Sequence, residues 1–312
     1  MKVLFLQTAH PKDDDRIAFH QQVCLEKAGH HCLFSSLNDV VTDIPDVVIC
    51  DTPRAIHETR KRFGYQAKVI YDITEWYPSK KNLRNVLWPF RPFKFCLLTF
   101  ANIWAGYKSD AFIFGEYHKA IPFKILFPRK QNLLLSYYPS LQYIHYSSPG
   151  CISHEVKLLY AGPQTKEKGY FRVQELARIC QTLMPDKHIK LTTINGLTFQ
   201  DFCSEITHHD IFLDLRDNDV ENTRCLPIKL FYYMAAGKAI IYSDLKAIRK
   251  GVPEITHDSL VNPYKLDKVA LFIQKLVTDS NLYQRLCERN RRLAETKYNW
   301  EIQSDAFVRF IE

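Results

Sequence analysis

Leu226-Pro227-Ile228-Lys229-Leu230-Phe231-Tyr232-Tyr233-Met234-Ala235-Ala236-Gly237-Lys238-Ala239-Ile240-Ile241 reads as a helix, its stop and the strand that follows. Pro227–Ala236 has helical character, and Gly237 closes it, because glycine accepts the left-handed conformation that ends many helices. Ala239–Tyr242 is apolar without alternation, as expected of a strand covered on both faces in a parallel sheet. Lys229 falls in the first turn, where the helix dipole disfavours a cation, so its placement points to a functional reason.

The same alternation extends in both directions. Toward the N-terminus, Val156–Tyr160, Ile189–Thr192 and Ile211–Leu215 read as strands and Gly169–Leu183 as a helix. Toward the C-terminus, Leu266–Val277, Leu282–Thr296 and Trp300–Ile311 read as amphipathic helices. The first half has strands at Lys2–Leu6, Asp46–Cys50, Lys68–Tyr71, Asp110–Phe114 and Asn132–Leu135, with helices at Arg16–Ala28 and Pro53–Phe63. Between them, Tyr137–Glu155 is rich in Ser, Pro and Tyr and reads as a linker. The expectation is an α/β chain of two Rossmann-like, doubly wound domains facing across a cleft, over residues 1–145 and 146–298. A C-terminal helix, 299–312, is expected to pack back toward the first domain. Ligands in such sheets bind beyond the carboxyl ends of the strands.

Length and composition agree with two domains: 312 residues, 46% hydrophobic and 24% charged, give each half enough apolar material for its own core. Nine cysteines, odd in number and with no Cys-x-x-Cys pair, argue against a disulfide framework or a structural zinc site and for reduced thiols. The apolar start Met1–Leu6 is too short for a signal peptide. No stretch reaches the roughly 18 apolar residues of a membrane span. A cytoplasmic protein, soluble or peripheral at the inner face of the plasma membrane, is expected. The net charge of +8 is uneven: from Arg60 to Lys130, 14 Lys/Arg stand against 4 Asp/Glu. Such a surface, 60–130, suits anionic lipid headgroups or a phosphorylated substrate. No nucleic-acid motif accompanies the charge, so nucleic acid is not an expected partner. Leu83–Phe95 interleaves aromatic and basic residues, a mixture suited to a membrane interface or to a packed loop with an exposed basic edge.

The opening stretch resembles the "Pro-x-Lys-Leu-x-Glu-Tyr-Met-Ala-x-Gly-Lys-Pro-Val" helix of the retaining glycosyltransferases of family 4, which have the GT-B fold. Tyr160-Ala161-Gly162 followed by Lys168-Gly169 is similar to that family's "Gly-Arg-Leu…Lys-Gly" loop. Asp15-Arg16-Ile17 with Ala28-Gly29-His30, and Tyr71-Asp72-Ile73-Thr74-Glu75-Trp76-Tyr77-Pro78, resemble two N-terminal segments of one branch. Tyr298-Asn299-Trp300 is similar to its closing "Tyr-x-Trp".

The resemblance implies transfer of a sugar from a nucleoside-diphosphate sugar to a glycan or lipid-linked acceptor in cell-surface polysaccharide synthesis, with retention at the anomeric carbon. It implies donor-binding roles for Gly162, Lys168, Gly169, Arg224, Pro227, Lys229 and Tyr232, and catalytic roles for Glu75, Arg16, Lys168 and Lys229. Lys168 and Gly169 open a helix after a strand, where free amides and the dipole favour phosphate. No cofactor beyond the donor, and no metal, is expected. Asp13-Asp14-Asp15 is read as capping the helix at Arg16 rather than as a cation site. The chain departs from the pattern at Tyr232, where the family has Glu, at Thr74 in place of His, and at Pro163 or Gln164 in place of Arg. A phenol cannot bind a ribose diol bidentately. A non-catalytic binding or scaffold protein retaining the fold is therefore the alternative reading, with a nucleotide-sugar epimerase third.

Overall fold

The computed structural model describes residues 1–7, 16–41, 43–73, 82–83, 86–255 and 258–312, with only the backbone of 16–18 and 221. The chain divides into two units, Met1–Tyr137 with Gln303–Glu312, and Tyr138–Ile302.

The first unit carries a six-stranded sheet in the order β2-β1-β3-β4-β5-β6. Its strands are β1 (Lys2–Gln7), β2 (His31–Ser36), β3 (Val47–Cys50), β4 (Lys68–Ile73), β5 (Ala111–Phe114) and β6 (Gln131–Leu134). Every pairing is parallel. Every residue of β3 and β5 is buried, because parallel strands with helical crossovers are covered on both faces. Leu4, Val48, Val69, Phe112 and Phe123 meet in one core. The helix Pro53–Phe63 is capped by Thr52, whose hydroxyl accepts from the Ala55 amide at 3.3 Å.

The second unit repeats the design with five strands in the order β11-β10-β9-β7-β8: β7 (Glu155–Ala161), β8 (His188–Ile194), β9 (Ile211–Asp214), β10 (Ala239–Ser243) and β11 (Leu260–Val261). All pairings are again parallel. Both sheets step from their first strand outward to the second, then back across the first to the third. The switch point falls between β1 and β3 in one unit and between β7 and β9 in the other. The helices Tyr170–Leu183 and Leu266–Thr278 close one face of the second sheet over Leu158, Leu213 and Ile241.

Several elements differ from the sequence reading. The edge strand β2 pairs only with β1 and has an alternating, half-exposed pattern, so it offers no apolar run to find. Part of Leu83–Phe95 belongs to an 18-residue helix, Arg91–Lys108; Arg84 and Asn85 lie outside the described residues. The helix of the quoted stretch spans Ile228–Ala235 with Pro227 as its cap. No described helix is long and apolar enough to cross a membrane.

Candidate functional site

The switch point of the second sheet brings together the loop after β7 and the loop after β9. Gly162 leaves β7 with its amide bonded to the Ile194 carbonyl at 2.9 Å. Tyr160, one of the last β7 residues, aims its hydroxyl at the Pro163 carbonyl (2.7 Å) and the Lys168 carbonyl (3.3 Å), the two ends of the same loop. Burial pushes that phenol's pKa upward, so it stays a neutral donor.

Gly169 caps the helix Tyr170–Leu183 in the left-handed region, φ 82°. A Cβ there would stand 2.1 Å from the Leu215 carbonyl oxygen, so the loop lies directly on the backbone leaving β9. The Asp217 amide donates to the Glu167 carbonyl at 2.9 Å and completes the seam. Arg172 reinforces it from the helix, bonding the Leu215 carbonyl at 2.9 Å, pairing with Asp217 and stacking over Tyr264.

Two ammonium groups stand at this edge. Lys168 Nζ donates to Asn222 Oδ1 at 3.0 Å, and Asn222 is fixed in turn by Asp219. Lys229, in the first turn of Ile228–Ala235, donates to the carbonyl of Ala161 at the end of β7. Its Nζ lies 2.9 Å from where a Cβ on Gly162 would sit, so any larger residue at 162 would displace the cation.

Behind them is a buried ionic network. Arg216 forks onto Asp214, with Nε to Oδ1 at 2.7 Å, and Tyr242 donates to Asp214 Oδ2 at 2.5 Å. Burial opposes the Arg216 charge, but Asp214 and Tyr242 outweigh it and hold the guanidinium's pKa well above its ordinary value. Ser243 bonds the Arg216 carbonyl at 2.7 Å, which ties the ends of β9 and β10.

Of the residues expected from sequence, Gly162, Lys168, Gly169 and Lys229 gather at this edge. Pro227 is buried as the cap of the Lys229 helix, and Arg224 is exposed at the end of the short helix Val220–Arg224. Tyr232 is 1% exposed, one turn beyond Lys229, with its ring against Phe199 and Phe202. Glu75, Thr74 and Asp13-Asp14-Asp15 lie outside the described residues; Arg16 begins the helix Arg16–Lys27, with its side chain likewise outside them. Asn222, Arg172 and the Asp214–Arg216 pair were not found by sequence reasoning. The one available signal was the charged run Asp214-Leu215-Arg216-Asp217 directly after a strand.

No protein-family model matches the sequence, and a search of curated proteins finds no match. Solved structures do match. Sucrose-phosphate synthase from Thermosynechococcus elongatus superposes with a TM-score of 0.65 at 12% identity, over 99% of this chain and 98% of that one. Anabaena HepE in complex with UDP and glucose gives 0.66 at 10% identity, over 99% and 98%. The E. coli trehalose-6-phosphate synthase bound with UDP-2-fluoro glucose gives 0.65 at 9% identity, over 100% and 99%. At these identities the likeness is one of fold: two parallel-sheet α/β units of the GT-B glycosyltransferase architecture, along the full length of the chain.

Proposed function

We propose that the chain is a glycosyltransferase that moves a sugar from a nucleoside-diphosphate sugar to a glycan or lipid-linked acceptor, with retention at the anomeric carbon, in cell-surface polysaccharide synthesis. The observation that carries this reading is the pair of ammonium groups, Lys168 and Lys229, held beside Gly162 and Gly169 at the switch point of the second sheet. In the reaction the bond from the anomeric carbon to the diphosphate breaks and one to an acceptor hydroxyl forms. The acceptor proton leaves with the diphosphate. Charge then grows on the diphosphate, where two prepositioned cations lower the barrier without reorganising. They supply the charge that a divalent ion supplies elsewhere, so the reading includes no metal. Gly162 lets the cation and phosphate approach the backbone, and the helix that starts after Gly169 turns its positive dipole end to the same loop. By the family resemblance, Arg224 and Arg16 are assigned to the diphosphate and Glu75 to the acceptor or the sugar. The reading places the chain on the cytoplasmic side of the membrane, at its inner face.

Tyr232 favours a second reading. Buried on Phe199 and Phe202, it cannot give the two-oxygen ribose contact that a Glu would, which suits a non-catalytic binding protein. Thermal unfolding with UDP, GDP, ADP, CMP and their sugars, with and without EDTA, separates the two. A shift selective for one nucleoside diphosphate, insensitive to EDTA and lost in Lys229→Ala, together with sugar release or transfer, is expected. Binding without turnover would favour the second reading, and no shift from any nucleotide would end the donor-site assignment.

A further inference from the structure

The helix Arg91–Lys108 wears its amphipathicity inside out. The face it turns to the sheet carries little fully buried apolar surface: Ala105 and Gly106 are buried, Asn102 accepts a 2.9 Å bond from the Tyr71 hydroxyl, and Trp104 packs half-buried against the core. The face it turns outward is the apolar stripe Phe93, Leu97, Phe100, Ile103 and Tyr107, at spacings of three and four residues, with Phe93 72% and Phe100 67% exposed. Trp88, 78% exposed, precedes it. The neighbouring helix Tyr117–Leu126 repeats the pattern with Tyr117, Ile121 and Ile125 outward. The two helices touch at Gly106, where any Cβ would strike the Phe127 and Phe123 rings, so the stripes belong to one side of the first unit. Contiguous exposed apolar stripes of this kind mark interaction sites.

The sequence around it is strongly basic. No Asp or Glu occurs between Glu75 and Asp110. The nearest acids are already engaged: Asp110 pairs with Arg60 at 2.8 Å, and Glu116 with Lys119 at 3.1 Å. Arg91, Lys94, Lys108 and Lys124 remain beside the apolar stripes. An apolar face flanked by Arg91, Lys94, Lys108 and Lys124 matches an anionic lipid surface, with rings and aliphatic chains at the acyl boundary and cationic groups among the headgroups. A protein partner would need a complementary acidic rim around an apolar groove, and nothing in the pattern asks for one.

We infer that the outer faces of Arg91–Lys108 and Tyr117–Leu126 seat this protein on an anionic bilayer, lying in its surface. The inference deepens the proposed function, which already puts the chain at the inner face of a membrane, but it does not depend on the donor site. The test is flotation of the full chain with phosphatidylcholine vesicles, with and without phosphatidylglycerol. The wild type is expected to float with the anionic vesicles. Phe93→Ser/Phe100→Ser is expected to lower partition at least roughly tenfold, since two rings no longer enter the acyl boundary. Arg91→Glu/Lys94→Glu is expected to weaken binding as salt does, and covers the case in which the serine pair fails to fold. Lys229→Ala is expected to float like the wild type, so failure of the donor reading stays separate from failure of this one. Wild type that does not float, or a serine pair that floats unchanged, would overturn the inference. So would a wild-type dimer that the serine pair turns into a monomer without lipid, which would make the face a contact between copies of the chain.

Discussion

Gly169 is fixed as glycine by two independent demands, a positive φ of 82° and the Leu215 carbonyl 2.1 Å from any added Cβ. Gly169→Ala must therefore both strain the turn and push the two loops apart. A loss of about 2–3 kcal/mol is expected, read as a fall of roughly 5–10 °C in the melting point of the second unit. Donor affinity should fall with it, because the Lys168 loop would leave its seat. A different single-residue effect is expected at His209, which is 4% exposed and bonds the Glu205 carbonyl at 3.0 Å. Burial lowers its pKa below the ordinary 6.5, more than Glu205 raises it. The unfolded chain therefore takes up the proton first as pH falls. The stability is complete above about pH 6.5 and is lost as pH drops through that value toward the folded one. His209→Gln should flatten the urea midpoint between roughly pH 7.5 and 5.5, and an unchanged slope there would refute the assignment. Among the site residues, Lys229 was legible one at a time, since a cation in the first turn of a helix contradicts the dipole. Asn222 was not, because an amide after a cap residue looks like any other.

At the scale of elements, legibility followed the hydrophobic pattern and failed where the pattern was inverted or absent. β3, β5, β9 and β10 are short runs buried on both faces, and each stands out as an apolar block. β2 is an edge strand with serines at its end, and its only support is pairing with β1. The helix Arg91–Lys108 escaped because its aromatic stripe faces away from the core, so periodicity that normally marks a buried face marks an exposed one. The same inversion is the observation on which the proposed seating on a bilayer rests. Tyr232 shows the converse: its place in a motif suggested a ligand, while its helix Ile228–Ala235 turns it inward against Phe199 and Phe202.

At the scale of the molecule, the first unit is discontinuous, Met1–Tyr137 completed by Gln303–Glu312. Phe307 and Ile311 are fully buried, and Lys68 donates to the carbonyls of Phe310 and Ile311, both at 3.1 Å. Truncation after Ile302 removes these contacts from the first unit alone. Calorimetry is expected to show one transition lowered by several kcal/mol of lost burial, with the transition of Tyr138–Ile302 in place. Equal loss in both transitions would contradict the division. The sequence by itself determined two successive α/β arrays, because alternating apolar strands and capped helices leave few other ways to bury their apolar faces. Only the tertiary structure decided which loops meet. Strand order is set by crossovers between distant segments, and the β7–β9 switch point brings Lys168, Gly169, Leu215 and Lys229 together from separate stretches of chain. It also decided which apolar faces the core leaves uncovered, since a stripe of Phe and Ile reads the same in sequence whether it turns toward the sheet or away from it.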